Sequence, residues 1–258
     1  MYEKLKQKKF IIAGPCVIES LDLCFIIAEK LKFLCEKYGF FYIFKASFDK
    51  ANRTSINSFR GPGLEKGIEV LFKIKEKCSI PVTTDIHESW QAEKVKDIID
   101  IIQIPAFLCR QTDLLISAGK TDKIVNIKKA QFLAGKDMIY PLEKVKSTGN
   151  NKVILTERGT MFGYGNLVVD FRNIVDMKEL GVPVVFDATH STQKPGALKG
   201  KSGGDRKYTP CLTYCADACG VNGFFFEVHP EPDKALSDGP NMINFKIFEE
   251  ILKNLAFK

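Results

Sequence analysis

The sequence predicts an α/β protein of one domain, a (β/α)8 TIM barrel, and three observations lead there. Short apolar, β-branched runs alternate with helix-periodic segments eight times along the chain. Runs such as VPVVFDA are apolar at nearly every position, as parallel strands covered on both faces are. The length of 258 residues suits one such barrel, and no Pro/Gly/Ser-rich linker divides it, so residues 1–258 are expected to form a single unit.

In chain order, the first strand is expected at 10–16 and its helix at 21–37. The second pair falls at 40–46 and 64–78, the third at 81–86 and 89–98, and the fourth at 101–105 and 111–118. The fifth occupies 124–128 and 137–146, the sixth 152–157 and 170–180, and the seventh 182–188 and 209–219. The eighth strand, 223–228, is followed by a closing helix at 242–255. A doubly wound open sheet is the main competitor, but it usually places a Gly-rich phosphate turn after its first strand, where this chain has Gly14-Pro15-Cys16. The longest stretch without periodicity, 189–208, is rich in glycine. Loops of that length are commonly lids or binding loops, so it is expected to be mobile when empty.

Composition narrows the function classes. With 45% apolar and 27% charged residues the chain reads as globular rather than disordered. The apolar stretch 10–18 is broken by Gly14 and Pro15 and runs into acidic Glu19 and Asp22, which fits neither a spanning helix nor a signal peptide. A cytoplasmic protein with no membrane partner is expected. The net charge of +7 is mostly lysine, and no basic run with interleaved aromatics appears, so nucleic acid is not an expected partner. Eight cysteines in such a chain read as thiols. Cys211, Cys215 and Cys219 form one helical stripe, which is expected to pack against the core.

In a barrel of this kind function sits at the C-terminal ends of the strands, and the polar residues of this chain gather there. One group is cationic: Lys45, Lys50, Arg53, Lys128 and Arg158 lie near the ends of different strands. Their convergence would suit a small substrate carrying phosphate and carboxylate groups. A second group, Cys16, His190, Glu227 and Asp238, combines soft and hard ligands suited to Zn, Fe(II) or Mn. Spacing alone does not choose between a metal site and a core thiol with a hydrogen-bonded histidine.

Longer words are more specific. IAGPCVIES, FKASFDKANRTSINSFRGPGLE, TTDIHES, DIIQIPAFLCRQTDLL, LTERGTMFGYGNLVVDFR, DATHS and EVHPEP together resemble the 3-deoxy-D-manno-octulosonate 8-phosphate synthases over nearly the whole chain. The resemblance implies a transferase that condenses phosphoenolpyruvate with D-arabinose 5-phosphate in lipopolysaccharide sugar biosynthesis. It implies that Lys45, Lys50, Gln103, Lys128 and Arg158 bind phosphoenolpyruvate, and that Asn52, Arg53, Thr54, Arg110 and Asp85 serve the aldose phosphate. Lys50, Lys128, His190 and Cys16 are the catalytic candidates. Cys16, with His190, Glu227 and Asp238, implies the metal-dependent class, with one divalent Zn, Fe(II) or Mn and no organic cofactor. Arg110 matches a residue that reaches a neighbouring subunit's site, implying a homo-oligomer, a tetramer before a dimer. A sister family uses erythrose 4-phosphate and typically has Pro-Arg-Thr after the loop lysine, whereas Lys50 here precedes Ala51-Asn52-Arg53-Thr54. An amide can bond a sugar hydroxyl and a proline ring cannot, which favours the five-carbon aldose. A non-catalytic phosphosugar-binding barrel is the alternative of a different class.

Overall fold

The computed structural model describes residues 1–53, 55–198 and 201–257. Eight parallel strands close into a barrel: β1 (Phe10–Gly14), β2 (Phe41–Lys45), β3 (Val82–Asp85), β4 (Ile101–Ile104), β5 (Ile124–Lys128), β6 (Val153–Glu157), β7 (Val184–Asp187) and β10 (Gly223–Glu227). The barrel shuts where β1 pairs with β10, Gly14 standing opposite Glu227. All eight expected strands are present, most trimmed by a residue or two at their ends. Every position in seven of them is buried, and only Phe41 at the start of β2 is partly open. Such strands carry apolar residues on both faces because helices cover the outside and side chains fill the inside.

The outer helices follow the expected order. α2 (Leu21–Lys37) and α3 (Leu64–Cys78) have the expected bounds, and the Ser20 side chain caps α2 by accepting from the Leu23 N–H at 3.1 Å. α4 (Ser89–Val95), α5 (Thr112–Lys120), α6 (Ile139–Lys146), α7 (Arg172–Lys178), α8 (Thr209–Ala218) and α9 (Phe245–Ala256) complete the ring. α4 is shorter than the expected 89–98, because Ile98 and Ile99 both donate to the Val95 carbonyl in a turn that leads into β4.

Three features depart from expectation. A short helix, α1 (Tyr2–Gln7), closes the bottom of the barrel: Tyr2 and Leu5 join Phe10, Ile12, Ile43, Ile101, Ile124, Ile154, Val185 and Phe225 in one inner cluster. The Tyr2 hydroxyl donates to the Val153 carbonyl at 2.9 Å. The stretch 189–208 is not structureless, since β8 (Gln193–Leu198) and β9 (Lys201–Gly204) pair antiparallel, Gln193 against Gly204 and Lys194 against Gly203. The cysteine stripe lies on one helix as expected but on the wrong face. Cys211 and Cys215 are exposed and Cys219 half-buried, while Thr209, Thr213 and Ala216 turn inward.

Period-two alternation carries the inner bottom cluster up into the mouth. Two residues beyond Ile12, Ile43, Ile101, Val185 and Phe225 stand Gly14, Lys45, Gln103, Asp187 and Glu227. Two and four beyond Ile124 stand Asn126 and Lys128, and two and four beyond Ile154 stand Thr156 and Arg158. The lumen is thus apolar below and polar above. At Gly14 the chain leaves no choice, since an added Cβ would lie 2.1 Å from the Lys45 carbonyl oxygen.

Candidate active site

A cavity of about 550 Å³ opens at the C-terminal ends of the strands. Its lining includes Lys45, Lys50, Asn52, Arg53, Asp85, Gln103, Lys128, Arg158, His190 and Asp238, ten of the residues expected from sequence. Cys16 and Glu227 form part of its buried wall, 1% and 0% exposed. Arg110 stands apart, exposed and outside this lining. Thr54 lies outside the described residues.

The floor is Phe225. Its ring lies under two ammonium groups, Lys128 Nζ at 3.7 Å and Lys45 Nζ at 5.8 Å from the ring centroid. A ring face attracts a cation while keeping water from beneath it.

Each buried cation but one is tied to an anion. Lys45 Nζ donates to Ser47 Oγ at 2.7 Å and to the Cys16 carbonyl at 3.1 Å, and lies 3.5 Å from Asp85 Oδ1. Ser47 donates in turn to Asp85, whose other oxygen is 3.2 Å from His87 Nε2. Burial alone would raise the Asp85 pKa, but Lys45, His87 and Lys50 outweigh it and hold the carboxyl well below its usual range. Lys128 Nζ lies 2.5 Å from Asp187 Oδ2. Burial dominates at Lys128 and lowers its pKa, with Asp187 opposing and Lys45 adding to the fall. Burial also works against the Lys50 ammonium, yet its neighbours Cys16, Glu227, Asp85 and Asp238 together prevail and raise its pKa.

Arg158 is the exception. Its Nη2 donates to Gln193 Oε1 at 2.6 Å, but among the described residues the buried Nη1 has no hydrogen-bond partner, and burial lowers its pKa. A buried guanidinium nitrogen without an acceptor is expensive, and an anionic ligand oxygen would satisfy it. Gln103 is oriented toward the same space. Thr156 donates to Asn126 Oδ1 at 2.7 Å and Asn126 Nδ2 to Gln103 Oε1 at 3.3 Å, which leaves the Gln103 amide N–H groups for a ligand.

The second orphan is negative. Both oxygens of the Glu227 carboxylate are buried and receive no hydrogen bond from the described residues, although Lys50 Nζ and Lys45 Nζ lie 3.7 and 3.9 Å from Oε1. Ligand atoms of Cys16, Glu227 and Asp238 all lie within 4.8 Å of one another. His190 Nε2 adds a fourth donor, 3.4 Å from Glu227 Oε1 and 3.9 Å from Asp238 Oδ2. Cys16 Sγ sits 3.2 Å from Asp238 Oδ2 and 2.8 Å from Ser237 Oγ. Burial first, then Asp238 and Glu227, pushes the Cys16 thiol well above its usual pKa. Lys50, His190 and Arg53 overcome burial to hold Asp238 down to about 2. Asp238 has φ +49, a left-handed conformation that aspartate tolerates better than most residues. A thiol, an imidazole and two carboxylates around unsatisfied carboxylate oxygens fit a divalent transition metal.

Several contributors escaped the sequence reading: Ser47, Asn126, Thr156 and Ser237 carry no role there, and Asp187 appears only as one polar strand end among many. Counting by twos from the apolar strand positions would have aimed Asn126, Thr156 and Asp187 into the lumen. The same count turns Lys129 and Glu157 outward, into the layer beneath the helices. There Lys129 Nζ lies 3.5 Å from Glu157 Oε2 and donates to the Leu133 and Ala130 carbonyls at 3.0 and 3.2 Å. Glu157 Oε1 accepts from the Gly159 N–H at 2.6 Å, fixing the turn that follows Arg158.

The model of the DAHP synthetase I family matches residues 5–256. A protein of Desulfatibacillum aliphaticivorans, 2-dehydro-3-deoxyphosphooctonate aldolase, is 56% identical over 95% of this chain and 90% of its own length. Proteins of the same name from Fusobacterium nucleatum subsp. nucleatum and Nitratidesulfovibrio vulgaris (strain DP4) are 54% and 53% identical, over 96% and 99% of this chain and 89% and 94% of their own lengths.

Proposed function

The chain belongs to the DAHP synthetase I family, and we propose that its activity is that of its named relatives, the condensation of phosphoenolpyruvate with D-arabinose 5-phosphate. The products are 3-deoxy-D-manno-octulosonate 8-phosphate and inorganic phosphate, and the enzyme is a transferase. The observation that carries the reading is the pair of opposite orphans in one mouth: Arg158 Nη1 awaiting an anion and the Glu227 carboxylate awaiting a cation.

In the reaction a C–C bond forms between C3 of the enol and the aldehyde carbon, water adds at C2, and the bond from C2 to the phosphate oxygen breaks. Lys128, Arg158 and the Gln103 amide bind the anionic groups of phosphoenolpyruvate, with Lys45 held ready by Ser47 and Asp85. Because these donors are nearly fully buried, each is worth more than in solution. Lys50, which lines the cavity 3.7 Å from Glu227 Oε1, is the ammonium assigned to deliver a proton to the aldehyde oxygen. Asn52 and Arg53 take the sugar hydroxyls and phosphate, with Thr54 and Asp85 on the same side. Cys16, His190, Glu227 and Asp238 would hold a divalent Zn, Fe(II) or Mn. Lewis-acid polarisation of the aldehyde is the chemistry such an ion supplies when bound.

We read residues 1–258 as one catalytic barrel working in the cytoplasm in lipopolysaccharide sugar biosynthesis. Among the described residues no helix is long and apolar enough to cross a membrane. Exposed Arg110 is placed to reach a second copy's aldose site, which favours a homo-oligomer.

The test follows phosphoenolpyruvate loss with arabinose 5-phosphate before and after exhaustive chelation and metal readdition. Turnover lost on chelation and restored by metal is expected. Unchanged turnover of verified metal-free protein would overturn the metal reading. Turnover with erythrose 4-phosphate alone would overturn the choice of aldose, and binding without turnover of either would make the chain a binding protein.

A further inference from the structure

We infer that Asp187 is the positioning residue of the cation site: it holds His190 with Nδ1 protonated and Nε2 turned toward Glu227 and Asp238. The inference rests on the metal reading above and adds to it which ring nitrogen serves and what fixes it.

Asp187 is fully buried and enters the lumen two residues beyond Val185. Its carboxylate grips His190 twice. Oδ2 lies 2.7 Å from His190 Nδ1, and Oδ1 accepts the His190 backbone N–H at 2.9 Å. The backbone bond places the imidazole and the ring bond sets its rotation. A carboxylate at this distance requires a proton on Nδ1, so in the neutral ring it is the Nε2 lone pair that faces a ligand. Nε2 is the atom 3.4 Å from Glu227 Oε1, and that oxygen receives no hydrogen bond from it. The Thr189 hydroxyl extends the brace, lying 3.3 Å from Asp187 Oδ1 and accepting the Glu227 N–H at 3.1 Å. One loop thereby registers two of the four donors on a single carboxylate.

Oδ2 also accepts from Lys128. The same oxygen therefore serves the anion pocket and the cation site. Lys128 Nζ also lies 3.5 Å from His190 Nδ1, but Asp187 Oδ2 at 2.7 Å is the nearer partner of that nitrogen.

The chain has three histidines, His87, His190 and His229, so the zinc-loaded protein labelled with 15N-histidine gives three ring systems in a long-range 1H–15N correlation. The His190 set is the one missing from His190→Gln. Protonated Nδ1 and zinc-bound Nε2 are expected, and zinc on Nδ1 would overturn the inference while leaving the site. In parallel, zinc affinity is read by chelator competition without substrates for the wild-type protein and Asp187→Asn. A loss of about 10- to 100-fold is expected from removing such a partner. Affinity within twofold of wild type in a folded Asp187→Asn would overturn the inference. Wild-type protein that takes up no zinc would overturn the site itself, and with it the inference. Should Asp187→Asn fail to fold, the wild-type spectrum decides alone.

Discussion

Replacing Lys129 with methionine tests whether the ion pair outside the lumen holds the mouth in shape. Lys129 and Glu157 are both fully buried, 3.5 Å apart. At an effective dielectric of about 20, that separation corresponds to an attraction of about 5 kcal/mol. Desolvation opposes it: burial is the largest influence on both groups, lowering the Lys129 pKa and raising that of Glu157. The pair is therefore worth little relative to two apolar residues, but half of it is costly. Lys129→Met leaves the buried Glu157 carboxylate with backbone N–H partners at Gly159 and Arg158 but no cation in the pair, and removes the donor to the Ala130 and Leu133 carbonyls. A loss of about 3–5 kcal/mol is expected, and the double variant Lys129→Met/Glu157→Gln should recover most of it. The single variant should also respond to pH. With its folded pKa raised further, Glu157 keeps its proton in the folded state where the unfolded chain has lost it. Stability then falls as pH rises above the unfolded carboxyl range, through the folded pKa, by up to about 1.4 kcal/mol per unit. Urea unfolding of the four proteins of the cycle, at two pH values, gives both numbers. A single variant within 1 kcal/mol of wild type on the order of experimental error, or a double variant as weak as the single, would refute the argument.

Three further outcomes are expected. Asn52→Ala should raise KM for arabinose 5-phosphate more than that for phosphoenolpyruvate, since Asn52 lies at the exposed end of the cavity; steady-state kinetics with equal effects on both would count against its role. Cys16→Ala should lose bound metal and turnover together, measured by metal analysis beside the activity assay, and full turnover of its metal-free form would defeat the ligand assignment. Stability should also fall in alkali. Burial, with the Glu19 charge, pushes the Cys24 thiol from 9.0 up to about 12, so the unfolded chain releases this proton first and stability declines as pH rises across that window, by about 1.4 kcal/mol per unit. Urea midpoints of wild type and Cys24→Ala that decline in parallel would refute this.

The barrel was legible because parallel strands buried on both faces leave an unmistakable apolar run, as in VPVVFDA. Helix ends were less so: 64–78 was read correctly, whereas 89–98 overshot because Ile99 is buried, and Ile98 partly so, by a turn rather than by a helix. The β8–β9 hairpin left no pattern, since its pairing rests on backbone contacts of Gln193 and Lys194 with two glycines. α1 has only Tyr2 and Leu5 to bury, too few for a period. The cysteine stripe failed for another reason: small residues of several types fill a helix's inner face equally well, and threonine and alanine took it. At the site, individual side chains were recognisable by resemblance, but the orphan state of Arg158 Nη1 and Glu227 is a property of three-dimensional surroundings and has no linear signature.

Phe225 gives the mouth a last consequence. A well sealed at its base has one entrance, and whatever occupies it is arranged by depth. Of the donors proposed for phosphoenolpyruvate, Lys45, Gln103, Lys128 and Arg158 are at most 6% exposed and Lys50 is half-buried, while Asn52 stands at the rim. If the deep donors take phosphoenolpyruvate, the guest at the bottom must be seated before the one at the rim, so that depth in the well is expected to set the order of arrival.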